Sequence, residues 1–467
     1  MFFHNGFFAQ GEVRIAGTRI SGNLECTGGD FINAGGHALI CDQLDVKGNV
    51  FLNGGFSAVG TVRLFGAKIG GDLQSAGGSI LNSDSIALSA EQIVVSGGVF
   101  LYHGFSATGS VDFIGGRIGG NLDCRGSTFA NPNGIALRLD GIVLNGGAFL
   151  NNGFSASGQV NLRGAHIRGN LECNDGRFLN PDKCSLSADQ VNVGGALIIR
   201  TASIDGGFEL TSAKVATLLD DTSCWQSGGH LFDGFVYDQI LGPTDAKARI
   251  KWLEQQRPDQ VSHNFKPQPW EQLITVLREM GHSDDAAEVA IAKQLQLRKA
   301  HAKSRRSFGE KVRRGLHWVY GWFAGYGHRP IWAVYWMAGV CALWSLAFYV
   351  GRETGHFGPT NPLIHASDSF DACGSPGEVG KDFWTSKNCP TPPEYTTFQP
   401  FFYSLDLILP LVNLQQEADW APLVVNPAGE TLWLGRFLRW MMWFEILFGW
   451  IASLTLAAVL GKLVDKD

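Results

Sequence analysis

For about the first 200 residues, apolar and polar positions alternate over very short stretches such as Val62-Arg63-Leu64 and Val111-Asp112-Phe113, each bounded by glycine. Alternation at period two marks short strands with one buried face, and glycine or asparagine supplies the tight or left-handed backbone where such strands turn. From Pro243 to Gln256 the pattern becomes helical, and it does so again from Gln268 to Arg306. Leu273, Ile274, Leu277 and Met280 make an apolar face that ends at Gly281, and Asp284 and Asp285 open a second helix carrying Ala287, Ile291, Leu295 and Leu297. Two antiparallel helices joined at Gly281-His282-Ser283 are predicted, a pair similar to one unit of a tetratricopeptide array. Farther on, Ile331–Val350 is a run of 20 residues without charge, enough to cross a hydrocarbon core of about 30 Å. A second long apolar segment runs from Trp440 to Leu460. Between them Phe401–Leu414 is too short to span, is interrupted by Pro410, and is read as a re-entrant or interfacial helix.

The strand region repeats. Gly-Phe occurs at Gly6-Phe7, Gly55-Phe56, Gly104-Phe105 and Gly153-Phe154, a spacing of 49 each time. In the same register stand Gly11, Gly60, Gly109 and Gly158, then Val13, Val62, Val111 and Val160. Apolar columns continue through Ile20, Leu24, Phe31 and Leu52 and their counterparts. A strand with one apolar face cannot bury it alone, so the copies must stack, each extending the parallel sheets of the last. The fold expected is mainly β: a β-solenoid over 1–235 with four 49-residue copies from about residue 5 to 200, each copy holding two or three coils. A helical neck follows at 243–330, then a first transmembrane helix at 331–350, an exterior loop at 351–400, a short helix at 401–414 and a second transmembrane helix at 437–461. Asn33, Asn82, Asn131 and Asn180 are expected at corners, bonding adjacent turns as a ladder. Cys26, Ser75, Cys124 and Cys173 share one column and, lying whole copies apart, are inward-facing small residues rather than ligands of a metal. Trp225 and Phe232 are the candidates for covering the last coil. The first copy carries no capping segment, which points either to a longer chain or to an end packed on another subunit.

Charge fixes an orientation. The net charge is -6, so no global basic field speaks for nucleic acid. Yet Lys299–Arg329 holds eight basic residues against the single acid Glu310, whereas Gly351–Arg436 holds ten acids and four bases. By the positive-inside rule the solenoid, neck and carboxy terminus lie in the cytoplasm and 351–436 outside, as in a multi-pass protein of the bacterial inner membrane. Lys303, Arg305, Arg306, Lys311, Arg313 and Arg314 form a lipid-surface anchor beside the first span. Eleven of the fourteen tryptophans lie from Trp318 onward, as suits a membrane interface. Cys373 and Cys389 enclose a modest exterior loop and are a possible disulfide; two free thiols are the alternative.

Two acids lie in apolar surroundings, Asp406 in the short segment and Glu445 in the second span, and such residues usually face protein, water or an ion path. A site near the outer interface, with Arg436 or Arg439 beside Glu445, is the plainer account of both. The order span, short helix, span resembles the membrane part of tetrameric cation channels, but the Thr-Val-Gly-Tyr-Gly filter is absent after Pro410. The Gly-Phe repeats, the neck, the membrane segments and the stretch Tyr403 to Pro410 together resemble a group of uncharacterised bacterial membrane proteins, some labelled membrane-associated oxidoreductases. That label would imply redox chemistry. The chain, however, holds no Gly-x-Gly-x-x-Gly in a βαβ setting, no iron–sulfur cysteine run and no Cys-x-x-Cys-His. No catalytic residue, cofactor or metal ligand is therefore assigned. The leading expectation is a membrane-anchored scaffold that homo-oligomerises and binds a protein partner on the solenoid surface, similar in its β-helix to bacterial cytoskeletal proteins. A channel subunit using Asp406 and Glu445 comes second, and an oxidoreductase third.

Overall fold

A computed structural model describes residues 1–464 apart from 5, 227, 301–314, 316–320, 322, 324, 326–330, 366 and 390–391. The chain divides into two compact units, Met1–Ser304 and Arg305–Asp467.

In the first unit the short alternating stretches stack into a parallel β-solenoid. A coil is one long strand followed by two strands of two residues, for example Asp30–Ile40, Asp45–Val46 and Val50–Phe51. Most of the long strands form a ten-stranded sheet, and most of the two-residue strands, joined by the longer strands of the last coils, form a seventeen-stranded sheet around the remaining sides. Pairing fixes the number of coils per copy. Asp30 lies beside Ser57, 27 residues on, and Ser57 beside Ser79, 22 residues on. Each 49-residue copy is thus two coils of unequal length, and apolar columns that look separate in the sequence are one column in alternate coils. Phe7, Phe31 and Phe56 stack with ring centroids 5.2 and 5.5 Å apart, and Phe105, Phe129, Phe154 and Phe178 continue the stack at 5.3–5.7 Å. Cys26, Ser75, Cys124 and Cys173 are buried in the same interior.

The unequal coils have a local cause. Each eleven-residue strand bulges at its middle, where pairing shifts between Ile32 and His37 and at equivalent points. Asn33 donates from Nδ2 to the carbonyl of His37 at 2.9 Å, and Asn82, Asn131 and Asn180 do the same toward Ile86, Ile135 and Cys184. The asparagine column therefore clasps a mid-strand bulge, a correction to the corner ladder expected from sequence, because the backbone carbonyl each one reaches is four residues away in the same strand; Asn82 alone of the four also donates to a neighbouring coil, at Thr61 Oγ1, among the described residues. The glycine column passes this bulge. At Gly109, with φ +113°, a Cβ would stand 2.4 Å from the Asn82 carbonyl oxygen. The inter-coil ladder exists in another column. Asn23, Asp72, Asn121 and Asn170 accept through Oδ1 from the backbone N–H of Asn49, Gly98, Gly147 and Ala196 at 2.8–3.0 Å.

The last coil is covered. A 3₁₀ turn at Thr222–Trp225 leads to a final strand, Val236–Ile240, and to three helices, α1 (Ala246–Glu254), α2 (Gln268–Glu279) and α3 (Ser283–Ala300). Asp245 caps α1 by accepting from Ala248 N–H, which satisfies one of the free donors of its first turn. Trp225, Phe232 and Trp252 close over the core with centroids 4.7–5.9 Å apart, and Trp270, Leu273, Ile274 and Leu277 of α2 join the same interior.

In the second unit, α4 (Ile331–Glu353) and α6 (Trp433–Val464) are each long and apolar enough to cross a membrane, and the shorter α5 (Pro400–Ile408) packs on both. The stretch expected as an exterior loop folds into a cap. Phe357–Pro359 pairs antiparallel with Trp420–Pro422, and Cys373 and Cys389 form a disulfide with Cα atoms 5.5 Å apart. Phe357, Trp384, Phe398 and Trp420 give the cap an interior continuous with Tyr403 of α5. Aromatic side chains, dispersed along this stretch of sequence, supply the core that its glycine and proline content conceals.

Candidate intramembrane site

The two spans sort their side chains by face. On α6, Leu438, Glu445 and Ala452 recur every seven residues and are buried, while Trp433, Phe437, Trp440, Phe444, Leu447, Ile451 and Leu454 are exposed along the opposite side. The exposed stripe is apolar, as a lipid-facing surface is. Glu445 is therefore turned into the protein. On α4 the facing residues are Cys341, Trp344 and Phe348: Trp344 donates from Nε1 to the Met441 carbonyl at 3.0 Å and stacks on Phe444, and Phe348 meets Tyr403 edge on.

Helix α5 fills the angle between the spans. Its N-terminal turn carries Pro400, whose missing N–H costs nothing there, and its C-terminal turn ends against α6 where Gly449 leaves room. A Cβ at that glycine would lie 2.3 Å from the Ile408 carbonyl oxygen. One turn earlier on both helices, Ser404 meets Glu445. The Ser404 hydroxyl lies in hydrogen-bond contact with Glu445 Oε1 and 3.1 Å from the carbonyl oxygen of Cys341 on α4. Glu445 Oε2 is buried without a partner among the described residues. Beside this contact, Tyr403 donates from its hydroxyl to the sulfur of Met442 at 3.2 Å.

Asp406 does different work. Its two carboxylate oxygens accept from the backbone N–H of Leu414 at 2.6 Å and of Glu417 at 2.9 Å, folding the chain after α5 back onto that helix. Gln415 stands there in left-handed geometry, φ +64°. The resulting cleft of about 510 Å³ is lined by Asp406, Pro410, Asn413, Glu417, Ile446 and Trp450, among others. Burial, and then the Asp406 charge, push the Glu417 carboxyl above its ordinary value. Arg439 donates to the Pro422 carbonyl at 2.6 Å and forms no ion pair with Glu445 among the described residues, against the pairing weighed from the sequence. The six basic anchor residues Lys303, Arg305, Arg306, Lys311, Arg313 and Arg314 lie outside the described residues.

Sequence reasoning finds Asp406 and Glu445 because each breaks an apolar run. It misses Ser404, the Cys341 carbonyl and Gly449, which complete the junction; only the tight Gly449 position leaves a trace in sequence, as the one residue without a side chain one turn after Glu445. No group of three or more histidine, cysteine or acidic side chains is placed to hold a metal ion among the described residues. Compared with protein-family models, with curated proteins and with solved structures, the chain finds no match.

Proposed function

We propose that this protein is a membrane-anchored scaffold, in which the solenoid presents a partner-binding surface and α4 and α6 fix it to a bilayer. The observation that carries the reading is the continuity of the parallel sheets: strands pair coil on coil from Phe8 to Ile240, giving a rigid surface many coils long. Such a surface suits a protein partner or a second copy of the chain. The solenoid and carboxy terminus are assigned to the cytoplasm of a bacterial inner membrane and the cap to the exterior. The basic run before α4, the acidic balance of 351–436 and the disulfide in the cap support that orientation.

Photo-crosslinking residues introduced singly at Leu81 and Val94, exposed on different faces of the solenoid, test the reading in intact cells. A discrete adduct from one face is expected, with an adduct to the same chain diagnosing a homo-oligomer. Purified protein that crosslinks to nothing from either face, in cells and in mild detergent, counts against a scaffold. The channel alternative, with Asp406 and Glu445 near the permeation path, draws support from the burial of Glu445 in the second span and from Asp406 in the lining of the cleft.

A further inference from the structure

With Glu445 ionised, the Ser404 hydroxyl is one hydrogen short of its two contacts. A serine hydroxyl has one proton to give, yet Ser404 Oγ faces two acceptors, the Cys341 carbonyl and Glu445 Oε1. If Glu445 were a carboxylate, both would compete for that proton and Oε2 would stay a buried charge without a donor among the described residues. Among the described residues, the titratable groups on the elements packed against α6 here are the Cys341 thiol on α4, Tyr403 and Asp406 on α5, and Glu417 in the loop that Asp406 folds back, and none of these is a cation. On α6 itself Arg436 is exposed and Arg439 is bonded to Pro422. Isolating an ionised carboxylate in such a place costs far more than keeping its proton. Both contacts of Ser404 Oγ are satisfied in one arrangement: the Glu445 carboxylic acid donates to Ser404 Oγ and Ser404 donates to the Cys341 carbonyl, which leaves Oε2 a neutral carbonyl oxygen in place of a buried charge.

We propose that Glu445 is an intramembrane proton-binding site whose proton links α6 through Ser404 to α4 and so holds α5 between the two spans. The ligand is the proton itself. Its loss to water turns the Ser404 hydroxyl toward a carboxylate, takes it from the Cys341 carbonyl, and leaves a negative charge against α5, so proton release and loosening of α5 are one event. This goes beyond the scaffold reading and stands or falls independently of it.

Infrared difference spectroscopy of the full-length protein in phosphatidylcholine liposomes tests the proposal. Wild type minus Glu445→Gln at neutral pH is expected to show the carbonyl stretch of a protonated carboxylic acid, shifted down in D₂O; Ser404→Ala is expected to move that band up by removing its acceptor. A difference spectrum holding carboxylate bands instead overturns it. Should the glutamine variant not fold, the wild-type band is followed directly as pH is raised. It persists well past the range in which exposed carboxylic acids ionise if the proposal is right, and disappears within that range if it is wrong. In the same titration, amide exchange protection of Tyr403 to Ile408 is expected to fall with the band. Protection unchanged after the band has gone overturns the holding role.

Discussion

At the scale of single residues, the closure of the solenoid rests on groups that no repeat column announces. Asp220 and Arg249 are both fully buried and meet through two bonds, Nη1 to Oδ2 at 2.9 Å and Nη2 to Oδ1 at 2.7 Å, while Arg249 Nε donates to the Pro243 carbonyl and Trp225 Nε1 to Asp220. Removing one partner leaves the other as an uncompensated buried charge, so Arg249→Ala is expected to destabilise the first unit by about 3–5 kcal/mol. Denaturant unfolding followed by tryptophan fluorescence reads this; a loss under 1 kcal/mol, the usual value of an exposed pair, would mean the pair is hydrated. His230 lies in the same cluster, its Nδ1 accepting from Phe208 N–H at 3.2 Å and its Nε2 donating to the Trp225 carbonyl at 2.8 Å. Burial pushes the imidazole down to about 4. A depressed folded value means that the neutral ring stabilises the fold fully above the unfolded value of about 6.5 and that this contribution is lost as pH falls toward 4. His230→Gln should therefore flatten the decline in melting temperature between pH 6.5 and 4; parallel wild-type and variant curves across that window would contradict the assignment.

Elements carry the next lesson, because the period is visible in the sequence and the coil is not. The 49-residue spacing is read directly from Gly6-Phe7 and its copies, but the two coils within it differ in length and in residues, so Phe31 and Phe56 do not look like equivalents. Only strand pairing shows that they stack. The bulge that lengthens alternate coils needs both halves of one device, an asparagine to clasp it and a glycine to pass it. Two glycines of one copy separate backbone conformation from crowding. Gly104 has φ +88° with open space around it, whereas Gly109 has φ +113° and would set a Cβ 2.4 Å from the Asn82 oxygen and 2.7 Å from that of Ser85. Gly104→Ala is expected to cost about 1 kcal/mol, and Gly109→Ala clearly more, because the sheet must part to admit the methyl group. Equal denaturation midpoints for the two variants would show that the bulge yields. In the membrane half the two spans are legible as long apolar runs, the first without charge, while the start of α6 at Trp433, ahead of the expected boundary, is hidden by Arg436 and Arg439. Asp406 and Glu445 were legible as acids out of place, but not their separate roles, since those depend on backbone groups of Leu414, Glu417 and Cys341 that leave no mark in a sequence.

For the whole molecule, the thiols of the chain make the sidedness of the solenoid and of the cap measurable. The cysteines of the first unit are silent reporters. Burial pushes the Cys26 and Cys184 thiols up to about 12 and raises Cys41, Cys124, Cys173 and Cys224 as well, so at neutral pH almost none exists as the reactive thiolate. Cys373 and Cys389 are tied to each other, and Cys341 is buried between the helices. A single introduced cysteine is then read against a quiet background. Val379, fully exposed on the cap, and Val94, exposed on the solenoid, serve as the two sites. If the basic segment before α4 is held at the cytoplasmic face by the membrane's electrostatics, a membrane-impermeant maleimide added to intact cells labels Val379→Cys at once and Val94→Cys only after permeabilisation. The reverse pattern would overturn the orientation and with it the redox logic of the cap, since a disulfide facing the cytosol would be exposed to reduction. Labelling of both from outside would mean that α4, which lies between the two sites, does not span.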